Sequence, residues 1–238
     1  MKPEDNHLFE TIKSVLVPIH PAGWMFITIF AVVSLLLSLL WSPLGWLGLI
    51  ATLWCVYFFR DPNRITPTRE GLIVSPADGI VQKICSCIPP AELELGSGER
   101  TRVSIFLNVF NVHVNRIPIE GSITKLHYHA GKFLNAALDK ASEENERQSI
   151  RITTSDGLTV GLVQIAGLVA RRILCDLKDN QSVKTGERFG IIRFGSRTDV
   201  YLPANVTPLV IEGQVAIGGE TILADMKSSE ARRVSVKH

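Results

Sequence analysis

The most extended pattern in the sequence is an apolar segment near its N-terminus. No charged side chain occurs between Ala22 and Phe59. A membrane-spanning helix needs about 20 apolar residues, so this stretch is long enough for two helices. A Ser-Pro-Leu-Gly sequence at 42–45 interrupts it near the middle, and proline and glycine favour a turn there. The pattern predicts an apolar, membrane-associating helical hairpin over residues 22–59.

The residues around this hairpin predict its orientation. Lys2 and Lys13 precede it, and Arg60, Arg64 and Arg69 follow it. Because positive charges favour the cytoplasmic side, we expect residues 1–21 and everything after the hairpin to lie at the cytoplasmic face of the inner membrane. The alternative is a buried hairpin in a soluble core, but such helices normally show a polar face. Whether the hairpin spans the bilayer or enters it and returns stays open.

Beyond a linker rich in proline, arginine and threonine at 60–70, the pattern changes to short β-branched runs broken by glycine, proline and asparagine. This predicts a mostly β (α+β) domain over residues 71–238. The predicted strands cover residues 72–74, 79–84, 103–109, 112–117, 158–166, 190–194, 206–211 and 214–217. Residues 132–147 are the best helix candidate in this domain, with a long polar loop as the alternative.

Two segments of this domain, 74–81 and 210–217, each have a glycine between two apolar runs. Glycine-turn hairpins of this kind resemble the halves of biotinyl and lipoyl carrier domains. A membrane-tethered β module that carries or binds a ligand is therefore one function to weigh. Lys125 and Lys227 lie outside both turns, so neither could hold biotin or lipoate there.

Composition removes some other functions. Lysine and arginine total 25 against 23 for aspartate and glutamate, so a net charge of +2 gives no electrostatic reason to expect a nucleic-acid partner. The four cysteines have neither zinc-site spacing nor the pattern of a secreted disulfide framework. His127 and His129 would face the same side of a strand, but without a third ligand they predict no metal site.

Three short segments contain candidates for chemistry, and each has an ordinary structural interpretation. Asp78 in the Ser-Pro-Ala-Asp-Gly sequence at 75–79 is typical of a turn. His113 lies between two valines and is typical of a hydrogen-bonded strand histidine. The pair Gly195 and Ser196 follows an apolar run and is typical of a turn. It lacks the flanking glycines of a nucleophile elbow, which disfavours an ordinary serine hydrolase.

Taken together, the three segments resemble the short form of the phosphatidylserine decarboxylase family. The shared features are an apolar hairpin ending in Phe-Arg-Asp-Pro at 59–62, Ser-Pro-Ala-Asp-Gly at 75–79, Asn-Val-His at 111–113 and Phe-Gly-Ser at 194–196. Their order and spacing agree with the family, and the resemblance covers essentially the whole chain.

The resemblance implies that the chain makes its own cofactor. Ser196 would attack the carbonyl of Gly195, and the cut would leave a pyruvoyl group at position 196. His113 would be the base, and Asp78 would orient it. The products would be a large chain of residues 1–195 and a small chain of residues 196–238, held together as a heterodimer. Further oligomerisation stays open.

The implied reaction is the decarboxylation of phosphatidylserine to phosphatidylethanolamine and CO2, through a Schiff base between the lipid amine and the pyruvoyl group. A rival with the same cofactor, a pyruvoyl decarboxylase acting on another amino compound, gives no reason for the apolar hairpin. The sequence also departs from the long-form members of the family. Phe194 and Arg197 flank the Gly-Ser pair, and Phe110 replaces a second histidine before His113.

Overall fold

The computed structural model of the chain describes residues 17–133, 136, 144–167, 172–193 and 195–236. The chain divides into two compact units, Met1–Asn63 and Arg64–His238. Among the described residues, the two long α-helices lie in the first unit, and the β-sheets lie in the second. The fold is therefore mostly β with an apolar helical hairpin before it, as predicted.

The hairpin consists of helix α1 (Trp24–Leu40) and helix α2 (Ser42–Phe58). A single extended residue between them, Trp41 with φ −161°, breaks the helical path. Pro43 lies in the first turn of α2, where a missing N–H removes no intrahelical hydrogen bond. The helical path therefore breaks at Trp41, and residues 42–45, where the sequence predicted the turn, begin α2.

Small residues line the contact between α1 and α2. A Cβ added to Gly45 would lie 2.4 Å from Ser38 Cβ, and one added to Gly48 would lie 2.7 Å from Ser34 Cβ. Ser34 Oγ also donates to the Gly45 carbonyl oxygen at 3.0 Å. The helices therefore approach closely through small and polar residues. Their outward side chains are large, apolar and exposed, among them Leu36, Leu39, Leu40, Trp46, Ile50 and Leu53.

The described part of the second unit contains thirteen strands. They are β1 (Leu72–Val74), β2 (Gly79–Cys87), β3 (Arg100–Leu107), β4 (Val114–Arg116), β5 (Gly121–His129), β6 (Arg147–Thr153), β7 (Thr159–Ala166), β8 (Ile173–Cys175), β9 (Ser182–Val183), β10 (Arg188–Ile192), β11 (Ser196–Tyr201), β12 (Val215–Ala216) and β13 (Ile222–Asp225). All the pairings between them are antiparallel.

An eight-stranded sheet has the order β12-β2-β3-β11-β7-β6-β5-β9, and a smaller sheet has the order β4-β10-β8. Strands β1 and β13 form a separate pair. One face of the large sheet includes Ile105, Leu162 and Val200. These residues belong to a single apolar cluster that also contains Ile117, which follows β4, and Phe189 of β10 in the smaller sheet. We call this face the core face of the large sheet.

Strand β11 lies between β3 and β7, and all six of its residues are buried. The chain reaches it from β10, which belongs to the smaller sheet. Only residues 193–195 connect the two strands, so the chain changes sheets within three residues. This short crossover contains the predicted cleavage site.

Several details differ from the sequence prediction. Residues 206–211 form no strand, and Pro208 makes only an isolated bridge with Ala224 because proline has no N–H for a sheet. Arg147, the predicted end of a helix, is the first residue of β6. The rest of that helix prediction falls largely on 134–135 and 137–143, outside the described residues.

The two glycine-turn segments pair with each other through Ile80 and Val215.

Candidate active site

The bond between Gly195 and Ser196 lies at the buried start of β11. Ser196 has no solvent exposure, and among the described residues its Oγ has no hydrogen-bond partner. Gly195 has φ +77°, in the left-handed region that favours glycine. An alanine there would be strained, although an added Cβ would meet open space. Glycine is therefore suited to the abrupt turn from one sheet to the other.

His113 lies beside this bond. The amide N of Gly195 donates to His113 Nε2 at 3.2 Å, and the imidazole is fully buried. The other ring nitrogen, Nδ1, lies 2.9 Å from the carbonyl oxygen of Asn111. A carbonyl only accepts, so Nδ1 carries the proton and Nε2 presents its lone pair to the Gly195 amide. His113 is therefore neutral in this arrangement, with its basic nitrogen next to the candidate cleavage site.

The position of His113 follows from the pairing of β4 with β10. His113 immediately precedes β4, and its carbonyl oxygen accepts from Ile192 N at 3.3 Å. Ile192 is the last residue of β10, just before the crossover that leads to Gly195. The sheet contact thus brings residues far apart in sequence to the same point.

Asp78 lies in the loop between β1 and β2. Its Oδ2 accepts from Arg64 at 2.7 Å, and its Oδ1 accepts from the Gly218 amide at 2.8 Å. In the same loop, the Pro76 carbonyl accepts from Arg116 N of β4. The loop that carries Asp78 therefore runs beside the strand that follows His113.

The opposite face of β11 is charged. Arg197 and Asp199 are buried and form two contacts, Nε to Oδ1 at 2.9 Å and Nη2 to Oδ2 at 3.0 Å. Arg197 Nη1 also donates to the Ala136 carbonyl at 3.2 Å. Burial lowers the pKa of the nearby Arg102 guanidinium, but the charge of Asp199 and smaller effects raise that pKa overall. These charges fix β11 from the side opposite the core.

His127 and His129 lie on β5 as predicted, opposite Ser149 and Arg147 of β6. In the described part of the chain, no group of three or more His, Cys, Asp or Glu side chains could hold a metal ion.

Comparison with known families identifies the chain. A sequence model described as phosphatidylserine decarboxylase matches residues 51–224. The matched range includes Asp78, His113, Gly195 and Ser196. The chain belongs to the phosphatidylserine decarboxylase family.

Three members of this family are similar along nearly the whole chain, and each is named phosphatidylserine decarboxylase proenzyme. The protein from Cereibacter sphaeroides is 60% identical over 224 residues, covering 94% of this chain and 97% of that protein. The protein from Paramagnetospirillum magneticum is 57% identical, covering 93% and 92%. The protein from Nitrobacter winogradskyi is 53% identical, covering 93% and 90%.

Two departures from the long-form pattern of the phosphatidylserine decarboxylase family have structural explanations. Phe110 is 60% exposed, in a loop where its amide is bound by Asn108 Oδ1 at 2.9 Å. Its side chain is therefore largely in solvent, whereas His113 is fully buried. Arg197 is buried because Asp199 neutralises it.

The sequence interpretation missed several polar residues near the site. Asn115 and Gln164 are fully buried, and Gln164 Nε2 donates to Asn115 Oδ1 at 2.8 Å. Gln164 also lies opposite Thr198 of β11, two residues beyond Ser196. A signal for Asn115 was present, because its spacing of two from His113 puts both side chains on one face of an extended segment. Gln164 had no such signal.

Proposed function

We propose that this chain is a proenzyme that cuts itself between Gly195 and Ser196 and then decarboxylates phosphatidylserine to phosphatidylethanolamine and CO2. The observation that carries the proposal is the 3.2 Å contact between Gly195 N and His113 Nε2, next to a buried serine hydroxyl. An unprotonated imidazole nitrogen can take up a proton from such a hydroxyl. The names of the three relatives support a processed decarboxylase.

The self-cleavage begins with attack of Ser196 Oγ on the carbonyl carbon of Gly195. The hydroxyl proton passes to His113 Nε2 and then to the nitrogen of Ser196, as the C–N bond breaks and an ester forms. Loss of the α-proton of residue 196 next expels the Gly195 carboxylate and leaves dehydroalanine. Addition of water and release of ammonia convert this residue to a pyruvoyl group.

The surroundings of position 196 fit a pyruvoyl group. Its neighbours in register are Leu107 and Ala166, whose side chains contain no nucleophile that would consume a ketone. When present, the group supplies an electron sink for decarboxylation, in place of pyridoxal phosphate. His113 would hold the proton that returns to the α-carbon of the lipid serine, because its Nε2 faces the start of β11.

Asp78 is the proposed electrostatic partner of His113. Its loop runs beside β4, since Pro76 accepts from Arg116 N. A carboxylate there favours the protonated imidazole that forms when Ser196 loses its proton. Arg64 and Gly218 hold the carboxylate in a fixed orientation.

The two cleavage products would remain one folded unit. The small chain contains β11, β12 and β13, and each of these strands pairs with strands of the large chain. Of these three strands, β11 has hydrogen-bonded neighbours on both sides, β3 and β7. The break at Gly195 removes one covalent bond and leaves all these pairings in place. This supports a heterodimer of residues 1–195 and 196–238.

The hairpin is the proposed membrane anchor, at the cytoplasmic face of the inner membrane. Within the 20 residues of Pro21–Leu40, an 18-residue window has a mean hydropathy of 2.3, and only 6% of that window is buried. At about 1.5 Å per residue, a helix of this length matches the ~30 Å hydrocarbon core of a bilayer. We therefore expect the lipid substrate to be reached from the membrane surface.

Intact mass and a denaturing gel of the purified protein test the self-cleavage. We expect two chains cut after Gly195 and a small chain whose blocked N-terminus reacts with a carbonyl reagent. A single intact chain of 26.3 kDa would overturn the proposal.

Carboxyl-labelled substrates test the specificity. We expect labelled CO2 from phosphatidylserine in vesicles and none from free serine. Release from free serine but not from the lipid would support the rival amino-acid decarboxylase and refute the lipid substrate.

Replacement of Asp78 tests its charge separately from its hydrogen bonds. Asp78→Asn keeps an acceptor for the Gly218 amide and removes the negative charge. We expect cleavage to slow by about 100-fold, the lower end of effects for acid–base partners. Wild-type cleavage in Asp78→Asn would assign Asp78 a purely structural role.

A further inference from the structure

The carbonyl oxygen of Gly195 lies against Gly167, the residue that follows β7. A Cβ added to Gly167 would be 2.4 Å from this oxygen and 3.3 Å from Ala136 Cβ. Side-chain atoms do not approach a carbonyl oxygen that closely without displacing it. Gly167 therefore provides the space that the Gly195 carbonyl occupies, and any larger residue would move it.

The backbone direction of Gly167 follows from its neighbour Ala166. The amide of Ala166 donates to the Glu146 carbonyl at 2.9 Å, and its carbonyl accepts from Asn145 Nδ2 at 2.7 Å. Both groups therefore point towards β6. Successive residues of an extended strand direct their N–H and C=O groups to opposite sides, so the N–H of Gly167 points towards β11.

The register identifies what this N–H faces. Ser196 lies opposite Ala166 in the antiparallel pairing of β11 with β7. The pairing ends there, and Gly195 and Gly167 are the residues that adjoin this last pair on the two chains. The N–H of Gly167 thus points towards β11, and the Gly195 carbonyl oxygen lies beside the same residue. The two groups are not hydrogen-bonded in this structure, so the donation proposed below is to the oxygen once it has become tetrahedral.

We propose that the Gly167 amide N–H binds the oxyanion that forms on Gly195 during self-cleavage, and that Asn145 is the positioning residue that aims it. The inference rests on the proposed cleavage between Gly195 and Ser196. As Ser196 Oγ bonds to the Gly195 carbon, the carbonyl electron pair moves onto oxygen, and the Gly167 N–H donates to that negative charge. The charge returns to re-form the carbonyl when the C–N bond breaks.

Asn145 is well placed for this indirect function. It is fully buried, and its amide fixes the Ala166 carbonyl. Because the peptide between Ala166 and Gly167 is planar and trans, its C=O and N–H point in opposite directions. Holding the carbonyl on one side therefore holds the N–H on the other.

The experiment measures the rate constant of cleavage in freshly synthesised full-length chain, followed by gel and intact mass. Gly167→Ala keeps the amide N–H but displaces the Gly195 carbonyl oxygen from it. Loss of one oxyanion donor lowers rates by about 100- to 1,000-fold, and we expect a decrease of this size for the displaced carbonyl. Gly161→Ala is the matched control. It lies on β7, and its added Cβ would meet two flexible side-chain ends, Leu95 Cδ1 at 2.7 Å and Leu93 Cδ1 at 3.0 Å, and Tyr201 Cβ at 3.2 Å, with no backbone atom among these nearest contacts. We expect it to cleave at the wild-type rate.

A second variant, Asn145→Asp, replaces the amide donor by an acceptor of the same shape, and we expect cleavage to slow by about 10-fold or more, as for a misaligned catalytic group. The decisive readout is decarboxylation per pyruvoyl group in the fraction that does cleave. The Gly195 carbonyl has no function after cleavage, so this turnover should stay at the wild-type value in both variants. General structural damage would lower it together with the cleavage rate.

Wild-type cleavage in Gly167→Ala, or in Asn145→Asp if the first variant does not fold, would overturn the inference and leave the proposed function standing. Equal losses of cleavage and of turnover per pyruvoyl group would overturn it as well. Absence of cleavage in the wild-type chain would overturn both the inference and the proposed function.

Discussion

The two faces of strand β11 differ in how they satisfy buried polar groups. On the core face, the hydroxyls of Ser196 and Thr198 are fully buried and have no hydrogen-bond partner among the described residues. On the opposite face, Arg197 and Asp199 form a two-contact ion pair, and Arg102 lies 4.0 Å from the same carboxylate. One face leaves a nucleophile available, and the other holds the strand in place.

This difference suggests that the two faces of β11 (Ser196–Tyr201) have different functions. A buried hydroxyl without a partner costs about 1–3 kcal/mol, which is tolerable where the group must react. A buried ion pair contributes little over an apolar pair, but removing one member is costly. Replacing Ser196 on the core face should therefore alter chemistry, and changes on the charged face should alter stability.

The largest expected effect comes from Ser196→Ala on the core face. Without the hydroxyl no attack on Gly195 can occur, so cleavage and decarboxylation should both be abolished. The free energy of unfolding should stay unchanged or rise by about 1 kcal/mol, because the buried hydroxyl makes no hydrogen bond. Intact mass and urea unfolding in detergent measure the two effects. A small chain of normal length in this variant would exclude Ser196 as the nucleophile.

On the charged face, Asp199→Leu should destabilise the fold by about 3–5 kcal/mol, because it leaves Arg197 buried without its partner. The measurement is urea unfolding of the uncleaved Ser196→Ala chain, which avoids mixtures of cut and intact protein. Arg197→Met combined with Asp199→Leu should recover part of the loss, since fewer uncompensated charges remain. Equal stability of the single and double variants would show that the ion pair does not hold β11.

Tyr201, also on the charged face, predicts a dependence of stability on alkaline pH. Burial raises the pKa of this phenol, and the charge of Asp199 raises it further. The unfolded chain ionises near the ordinary pKa of about 10, so the stabilisation is complete below that pH and decreases as pH rises towards the folded pKa. The unfolding midpoint should fall more steeply above about pH 10 in wild type than in Tyr201→Phe. Parallel curves would contradict the prediction.

The smallest effect is expected for Thr198→Val on the core face. Replacing an unpaired hydroxyl with a methyl group of the same shape should leave stability unchanged or raise it by about 1 kcal/mol. Cleavage should continue at close to the wild-type rate, since Thr198 is two residues from the reacting bond. A time course of cleavage checks this, and a large decrease would show that the core face acts as a connected unit.

The sequence predicted the elements that consist mainly of apolar or β-branched residues. The uncharged stretch from Ala22 to Phe59 predicted the hairpin, and the β-branched runs predicted β1, β2, β3, β7 and β10 closely. It could not predict β11, whose sequence Ser-Arg-Thr-Asp-Val-Tyr has no apolar alternation and is nevertheless buried on both faces. Its burial depends on Arg102 and on the neighbouring strands, which lie far away in the chain.

The candidate site divides in the same way. Family resemblance supplied Asp78, His113, Gly195 and Ser196 as residues to examine, but it said nothing about Asn145 or Gly167. Neither has a sequence signal, because an asparagine in a polar stretch and a glycine after a strand occur throughout proteins. Their significance lies in contacts with Ala166 and Gly195, which exist only once β7 and β11 are paired.

The sequence by itself determined an apolar hairpin, a mostly β domain and a Gly-Ser bond of a known family, since these depend on residue type and short-range pattern. Only the tertiary structure decided that the chain crosses between two sheets at that bond. The crossover brings His113 Nε2 to the Gly195 amide and the Gly195 carbonyl to Gly167. Contacts of this kind depend on strand register between distant segments, which no local pattern of residues specifies.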